Sequence, residues 1–311
     1  MSLDPEIAEL LPALNSGFPG VETMTAPQLR EVIRQRAQRP LRPEPVGKVN
    51  DRTVPGPGGD IGVRIYWPAV SSGTLPIIVF AHGGGFVFCD LDTHDELCRA
   101  MTNGVGAIVV SVDYRLAPES PWPSAVQDVY AVTTWAAQYA DELGGDPARL
   151  LIAGDSAGGN LATVTAQLAR DRGRPAIAGQ LLAYPVIAAD FDTASYRDHA
   201  TGFYNTAAAM EWYWDQYVPN PADRSHPTAS PLRAPLTGLA PAVVISAGYD
   251  PLGSEVEAYA KALAAEAVTT IHRHYSGAIH GFMTMAGLGI CRLARRQAWA
   301  DVSALLSRSL E

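Results

Sequence analysis

Cysteine is scarce in this chain: three in 311 residues, Cys89, Cys98 and Cys291. An odd number without Cys-x-x-Cys spacing forms neither a disulfide framework nor a cysteine zinc site, and reads as reduced thiols in a cytoplasmic protein. Long apolar runs are missing too; none reaches the roughly 18 residues of a membrane span. The opening Met1-Ser2-Leu3-Asp4-Pro5-Glu6 is acidic, without the basic and apolar regions of a signal peptide. Basic residues are in the minority: 23 Lys and Arg against 32 Asp and Glu give a net charge of −9, which argues against nucleic acid or an anionic membrane as partner. No repeat of about 20–50 residues is present. What remains, 47% hydrophobic and 18% charged, is an ordinary globular composition. The length suits one α/β domain with an insertion or cap, or two modest domains.

The apolar pattern divides the chain. Helix-like stretches near Pro5–Leu14 and Ala26–Ala37 flank a turn-rich Asn15–Gly20, and prolines at 40, 43 and 45 close this section. Val46–Val54 and Ile61–Trp67 read as a hairpin around Pro55–Asp60. Leu75–Ala81 is continuously apolar, as a strand buried on both faces must be. Thereafter strands near 106–112, 150–155, 177–184, 243–247 and 269–275 alternate with helices near 93–103, 123–140, 157–170 and 254–267, and a closing helix is expected from about Leu288 to Leu310. Alternation of this kind predicts a mainly parallel sheet of eight strands, the early ones antiparallel, with helices on its faces. In such sheets functional groups gather beyond the carboxyl ends of the strands.

Leu150–Asp155 ends an apolar run in Gly154-Asp155-Ser156-Ala157-Gly158, and an Ala/Leu/Thr-rich stretch follows. That is a Gly-x-Ser-x-Gly elbow between strand and helix, which lifts a serine hydroxyl above the sheet edge. Alone, the pentapeptide also fits a turn with Ser156 as helix N-cap. The third strand ends in His82-Gly83-Gly84-Gly85-Phe86, where successive glycines bring amides close to a substrate. The amides of Gly83 and Gly84, with that of Ala157, are the expected donors to the oxyanion formed when Ser156 attacks an ester. His82, at the head of that loop, is expected to be structural. His280 follows the last strand, the position from which a base can reach Ser156, whereas His94, His199 and His226 have no matching strand end and His272 and His274 share one strand face. Asp250 follows the seventh strand, and the order Ser156, Asp250, His280 is that of α/β-hydrolase triads. Asp155 is expected to brace the elbow, and Glu255 to favour the start of its helix.

His82-Gly83-Gly84-Gly85, Tyr114-Arg115-Leu116-Ala117-Pro118-Glu119, Gly154-Asp155-Ser156-Ala157-Gly158-Gly159, Asp250-Pro251-Leu252 and His280-Gly281-Phe282 resemble, in order, the bacterial hormone-sensitive-lipase-like (family IV) carboxylesterases. The resemblance runs from about residue 45 to the C-terminus. It implies an α/β-hydrolase core capped by the N-terminal helices and by an insertion after the sixth strand. It also implies hydrolysis of short- to medium-chain carboxylic esters through an acyl-enzyme, without cofactor or metal, and a supporting role for Glu119. The chain departs from the pattern at Ser254-Glu255, where Asp-Glu is common, and at Ala264–Val268, which lacks a usual glycine.

The expected organisation is residues 1–45 as cap helices, 46–187 and 223–311 as the core, and 188–222 as the cap insertion. That insertion holds eight aromatics, Phe191, Tyr196, Phe203, Tyr204, Trp212, Tyr213, Trp214 and Tyr217, in a chain that is 8% aromatic, so some should pack and some should line a pocket. Phe86, Phe282, Tyr204 and Trp212 are the pocket candidates. The expected partner is a small-molecule ester; pairing of exposed last strands would give a homodimer. Two other readings share these residues: a hydrolase-fold protein that only binds a small ligand, and a lactone or amide hydrolase with the same triad.

Overall fold

The computed structural model describes residues 2–17, 20–36, 43–70 and 73–308. Ala37, Pro40 and Leu310, named above as helix or boundary residues, lie outside them. In chain order the elements are α1 Pro5–Gly17, α2 Ala26–Arg36, β1 Lys48–Gly56, β2 Gly59–Trp67, β3 Leu75–Ala81, α3 Asp95–Val105, β4 Ile108–Asp113, α4 Ser124–Gln138 and α5 Ala140–Leu143. They continue as β5 Gly145–Asp155, α6 Ala157–Arg172, β6 Gly179–Ala183, α7 Ala194–Asp198, α8 Ala207–Tyr217, β7 Ala242–Tyr249, α9 Gly253–Ala265, β8 Thr270–Ile279 and α10 Gly289–Arg308.

The eight strands form one sheet in the order β1-β2-β4-β3-β5-β6-β7-β8. β1 and β2 are antiparallel, as are β2 and β4; every later pairing is parallel. Side chains alternate between two cores, as a period of two requires. Ile108, Val110 and Val112 enter one core and Val109 the other; Leu150 and Ile152 enter the first, Leu151 and Ala153 the second. The first core holds Val129 of α4, Leu161 of α6 and Leu263 of α9; the second holds Met101 of α3 and Ala298 and Val302 of α10. Each fully buried Val, Leu or Ile contributes about 1.5–3 kcal/mol, so a strand buried on both faces has no tolerant position.

The expected hairpin is tighter than its sequence suggests: pairing extends to Gly56 opposite Gly59. The last strand is longer, reaching Ile279 rather than Tyr275, and so delivers its end directly to His280. Between β6 and β7 the chain contains α7, α8 and two short 3-10 turns, Pro221–Ser225 and Pro231–Arg233. α8 contacts the 3-10 turn Val21–Thr23 of the N-terminal section. Where the usual glycine is missing before β8, Ala267 itself adopts φ 58°, a left-handed conformation that costs a non-glycine residue about 1–2 kcal/mol. His272 and His274 share a strand face as expected, and both lie against Ser246 Oγ, at 2.8 and 3.0 Å.

Candidate active site

Four strand ends converge on the site: β3 leads into His82, β5 into Ser156, β7 into Asp250 and β8 into His280. At the elbow Ser156 has φ 53° and ψ −119°, a backbone region L-residues avoid and surrounding bonds must hold. Its N–H donates to Ala183 O at 2.9 Å, and its carbonyl accepts from Val186 N at 3.1 Å and Asn160 N at 3.2 Å. Gly158 permits the turn, since a Cβ there would overlap the carbonyl of Ala81.

Ser156 Oγ lies 2.8 Å from His280 Nε2, and His280 Nδ1 lies 2.8 Å from Asp250 Oδ2. A carboxylate only accepts, so Nδ1 carries the proton and Nε2 of the neutral ring is the acceptor facing the serine hydroxyl. Asp250 Oδ1 accepts from Leu252 N at 2.9 Å, which fixes the carboxylate. Ser156, Asp250 and His280 are 8%, 1% and 7% exposed, so their bonds act where water competes little.

The glycine loop departs from expectation at Gly83. Its N–H donates to Asp155 Oδ1 at 2.8 Å and is therefore spent inside the protein. The two following amides are set by their own peptide planes, in which C=O and N–H point opposite ways. Gly83 O accepts from His82 Nδ1 at 2.7 Å, which turns the Gly84 N–H away from His82. Gly84 O accepts from Val87 N and Phe88 N, both at 3.0 Å, which turns the Gly85 N–H away from that turn. No bond from the amides of Gly84, Gly85 or Ala157 to another protein group is present among the described residues. Three adjacent glycines look alike as letters; the reach of Asp155 to the Gly83 N–H and the bonds of the Gly83 and Gly84 carbonyls separate them.

Asp155 braces as expected, but across to another loop. Burial pushes its carboxyl up, and the attraction and hydrogen bond of His94, with His82 and the Gly83 N–H, more than offset this, leaving it below the ordinary value. His94 Nε2 lies 3.3 Å from Asp155 Oδ1. His94 was passed over in sequence because it sits in the turn before α3 rather than at a strand end. His82 is wholly buried, stacks on Tyr114 with centroids 4.3 Å apart, and is pushed down to about 4 by burial and then by His94. Glu255 does more than start α9: its buried Oε1 accepts from Ile187 N at 2.7 Å, and burial raises its carboxyl well above the ordinary value.

Ser156 and His280 open into a cleft of about 1340 Å³. Of the four aromatic candidates, the cleft is lined by Tyr204 only. Phe86, at φ 64°, turns under the loop and stacks on Tyr217 with centroids 3.7 Å apart and planes 2° off parallel. Phe282 is fully buried against Tyr184 and Tyr275, and Trp212 packs on the core beside Tyr213. The apolar wall is instead built from Phe88, Met210, Tyr213, Leu14 and Ile33. Cys89 also lines the cleft; all three cysteines are free, and burial pushes their thiols up.

Comparison with known proteins agrees with this architecture. Residues 78–284 match the family described as alpha/beta hydrolase fold. A carboxylesterase of Mycobacterium tuberculosis, NlhH, is 41% identical over 290 residues, covering 91% of this chain and 90% of its own. The chain belongs to the hormone-sensitive-lipase-like carboxylesterases. Other members extend the likeness: an ethyl acetate hydrolase of Pseudomonas putida is 34% identical over 93% of this chain and 94% of its own. The solved structure of a hyperthermophilic esterase from Pyrobaculum calidifontis superposes with a TM-score of 0.92 at 40% identity, covering 98% of this chain and 99% of that one. Among the described residues of this carboxylesterase, no helix is long and apolar enough to cross a membrane.

Proposed function

We propose that this carboxylesterase hydrolyses short- to medium-chain carboxylic esters through an acyl-enzyme on Ser156. The observation that carries the reading is the continuous line from Ser156 Oγ through His280 to Asp250, with both bonds at 2.8 Å. Ser156 Oγ attacks the ester carbonyl as its proton passes to His280 Nε2; Asp250 holds the Nδ1 tautomer and stabilises the imidazolium. The oxyanion is received by the amides of Gly84, Gly85 and Ala157, with Gly85 replacing Gly83 because the latter is bonded to Asp155. His280 returns the proton to the leaving alcohol, and water enters by the same route in reverse to release the acid. Residues 1–45 and 188–222 act as the cap: Leu14 and Ile33 from the first, with Tyr204, Met210 and Tyr213 from the second, supply the cleft's apolar wall. Tyr204 stays a substrate contact in this scheme; Phe86, Phe282 and Trp212 become its support.

Hydrolysis of p-nitrophenyl esters from acetate to long-chain acyl groups tests both parts. Turnover should be highest from acetate to medium chains, and Ser156→Ala should lower it by roughly 10⁶-fold, since triad members act as a unit. A Ser156→Ala variant turning over butyrate at near the wild-type rate would remove the serine mechanism; a long-chain optimum would remove the chain-length assignment.

A further inference from the structure

Arg30, on α2, makes four side-chain hydrogen bonds beside the glycine loop, and the mechanism above leaves it unused. Its neighbour Leu29 is fully buried in the same core as Phe86 and Val87. Arg30 Nε donates to Val87 O at 2.7 Å, and Nη2 donates to Ala117 O at 2.7 Å. Both Nη atoms meet Glu119, at 2.9 and 2.7 Å. Ala117 N donates in turn to Phe86 O at 2.9 Å.

The bond to Val87 O has a directed consequence. Val87 O and the Phe88 N–H belong to one planar peptide and point opposite ways. That N–H donates to Gly84 O, and Gly84 O shares its own plane with the Gly85 N–H. Arg30 is thus joined to the Gly85 amide by two successive peptide units: guanidinium to Val87 O, Phe88 N–H to Gly84 O, then the Gly85 N–H. Gly84 is required for the middle step. It sits at φ 110°, and a Cβ there would overlap the Phe88 carbonyl.

We propose that Arg30 is a positioning residue for oxyanion stabilisation, and that its charge strengthens the Gly85 N–H through this chain. Hydrogen bonds in series polarise one another, by an order of 10–30% per bond, and a cationic donor at the head of the series adds to the effect. The N-terminal helix therefore does more than cover the cleft: its docking completes the oxyanion site. The inference rests on the assignment of Gly85 as an oxyanion donor.

Arg30→Met keeps the aliphatic stem and removes the donors and charge; Arg30→Lys keeps the charge but cannot span Val87 O, Ala117 O and Glu119 at once. The readouts are kcat and KM for a butyrate ester, and the affinity for a trifluoromethyl ketone, which adds Ser156 to give a tetrahedral oxyanion. Arg30→Met should lower kcat about tenfold with KM within threefold, and weaken the trifluoromethyl ketone in the same proportion. Arg30→Lys should lie between it and wild type. Glu119→Gln, which leaves the Val87 bond in place, should stay within about threefold of wild type. Unchanged kcat, or a rise in KM alone, would reduce α2 to a wall of the cleft and overturn the proposal. Should Arg30→Met fail to fold, Arg30→Lys decides by the same measures, wild-type values overturning it. Inactivity of the wild-type protein on every ester would instead sink the proposed function itself.

Discussion

Two histidine–aspartate couples meet at the elbow, made of the same groups and put to different uses. In one, His280 gives Nδ1–H to Asp250 and turns Nε2 to Ser156 Oγ. In the other, His94 places Nε2 at 3.3 Å from Asp155, while its Nδ1 lies 3.1 Å from Thr93 Oγ1. All four side chains are buried. The difference lies in what each couple touches next. Asp250 closes its own turn through Leu252 N, and the free nitrogen of its histidine meets a nucleophile. Asp155 instead accepts the Gly83 N–H, 72 residues distant in the chain, and the hydroxyl facing its histidine, Thr93 Oγ1, already donates its proton to Asp90 O at 2.8 Å. The first arrangement can move a proton; the second holds a loop. A buried His–Asp pair is a relay only when its outer nitrogen faces a group that must lose a proton.

That contrast can be broken by matched substitutions. Asp250→Asn should lower kcat by roughly 10⁴-fold, because an amide stabilises neither the required tautomer nor the imidazolium. Asp155→Asn keeps one oxygen acceptor for Gly83 N, removes the charge facing His94 and replaces the second oxygen by an NH2 donor. Its cost should be about 10- to 100-fold, below the 10²–10³ of deleting an oxyanion donor outright. Steady-state kinetics on one ester compares the two directly. Equal losses would mean that Asp155 belongs to the proton relay after all, and the division between the couples would fall.

The hydrogen-bonded line Ser156–His280–Asp250 was legible in the sequence because its members stand at strand ends, where the alternation of apolar strands and helices already locates them. Ser156 needed the elbow pentapeptide, and Asp250 and His280 a count of strands and the order of the three residues. The bracing couple was not legible, because His94 lies in an irregular turn and Asp155 reaches a loop far away in sequence. The same blindness hid the engagement of the Gly83 N–H by Asp155: Gly83, Gly84 and Gly85 differ by the bonds of their peptide planes, which no letter records. It also misplaced the aromatics. Phe86 follows the glycines directly, yet a positive φ turns it into the core, and Phe88 two residues later lines the cleft. Eight strands and their order of direction followed from hydrophobic period; Arg30 meeting Val87 depends on how α2 docks, which amphipathic spacing leaves open.

His82, the neighbour of the bracing couple, differs from His280 in its protonation as well as its place. In the proposed mechanism His280 gains and loses a proton in every cycle, whereas burial and His94 hold His82 neutral down to about pH 4. Its ordinary value is 6.5, so as the pH falls below 6.5 the unfolded chain takes up a proton that the folded molecule refuses. Stability from this group is complete above pH 6.5 and is lost progressively toward pH 4, by a total of roughly 3 kcal/mol. Glu255 acts in the opposite sense: its raised value lets the folded state keep a proton that the unfolded chain has shed above its ordinary value of 4.5. The total slope of the wild-type protein is therefore ambiguous, and a difference is needed. His82→Gln removes one titration and leaves that of Glu255 in both proteins. Urea unfolding of the pair at pH 7 and pH 4.5 should show the wild-type advantage shrinking by about 2–3 kcal/mol on acidification. A gap that stays constant between the two pH values would mean that His82 titrates in the folded protein as freely as in the unfolded chain, and that the ground beneath the glycine loop is not the dry, proton-refusing site that separates it from the catalytic couple.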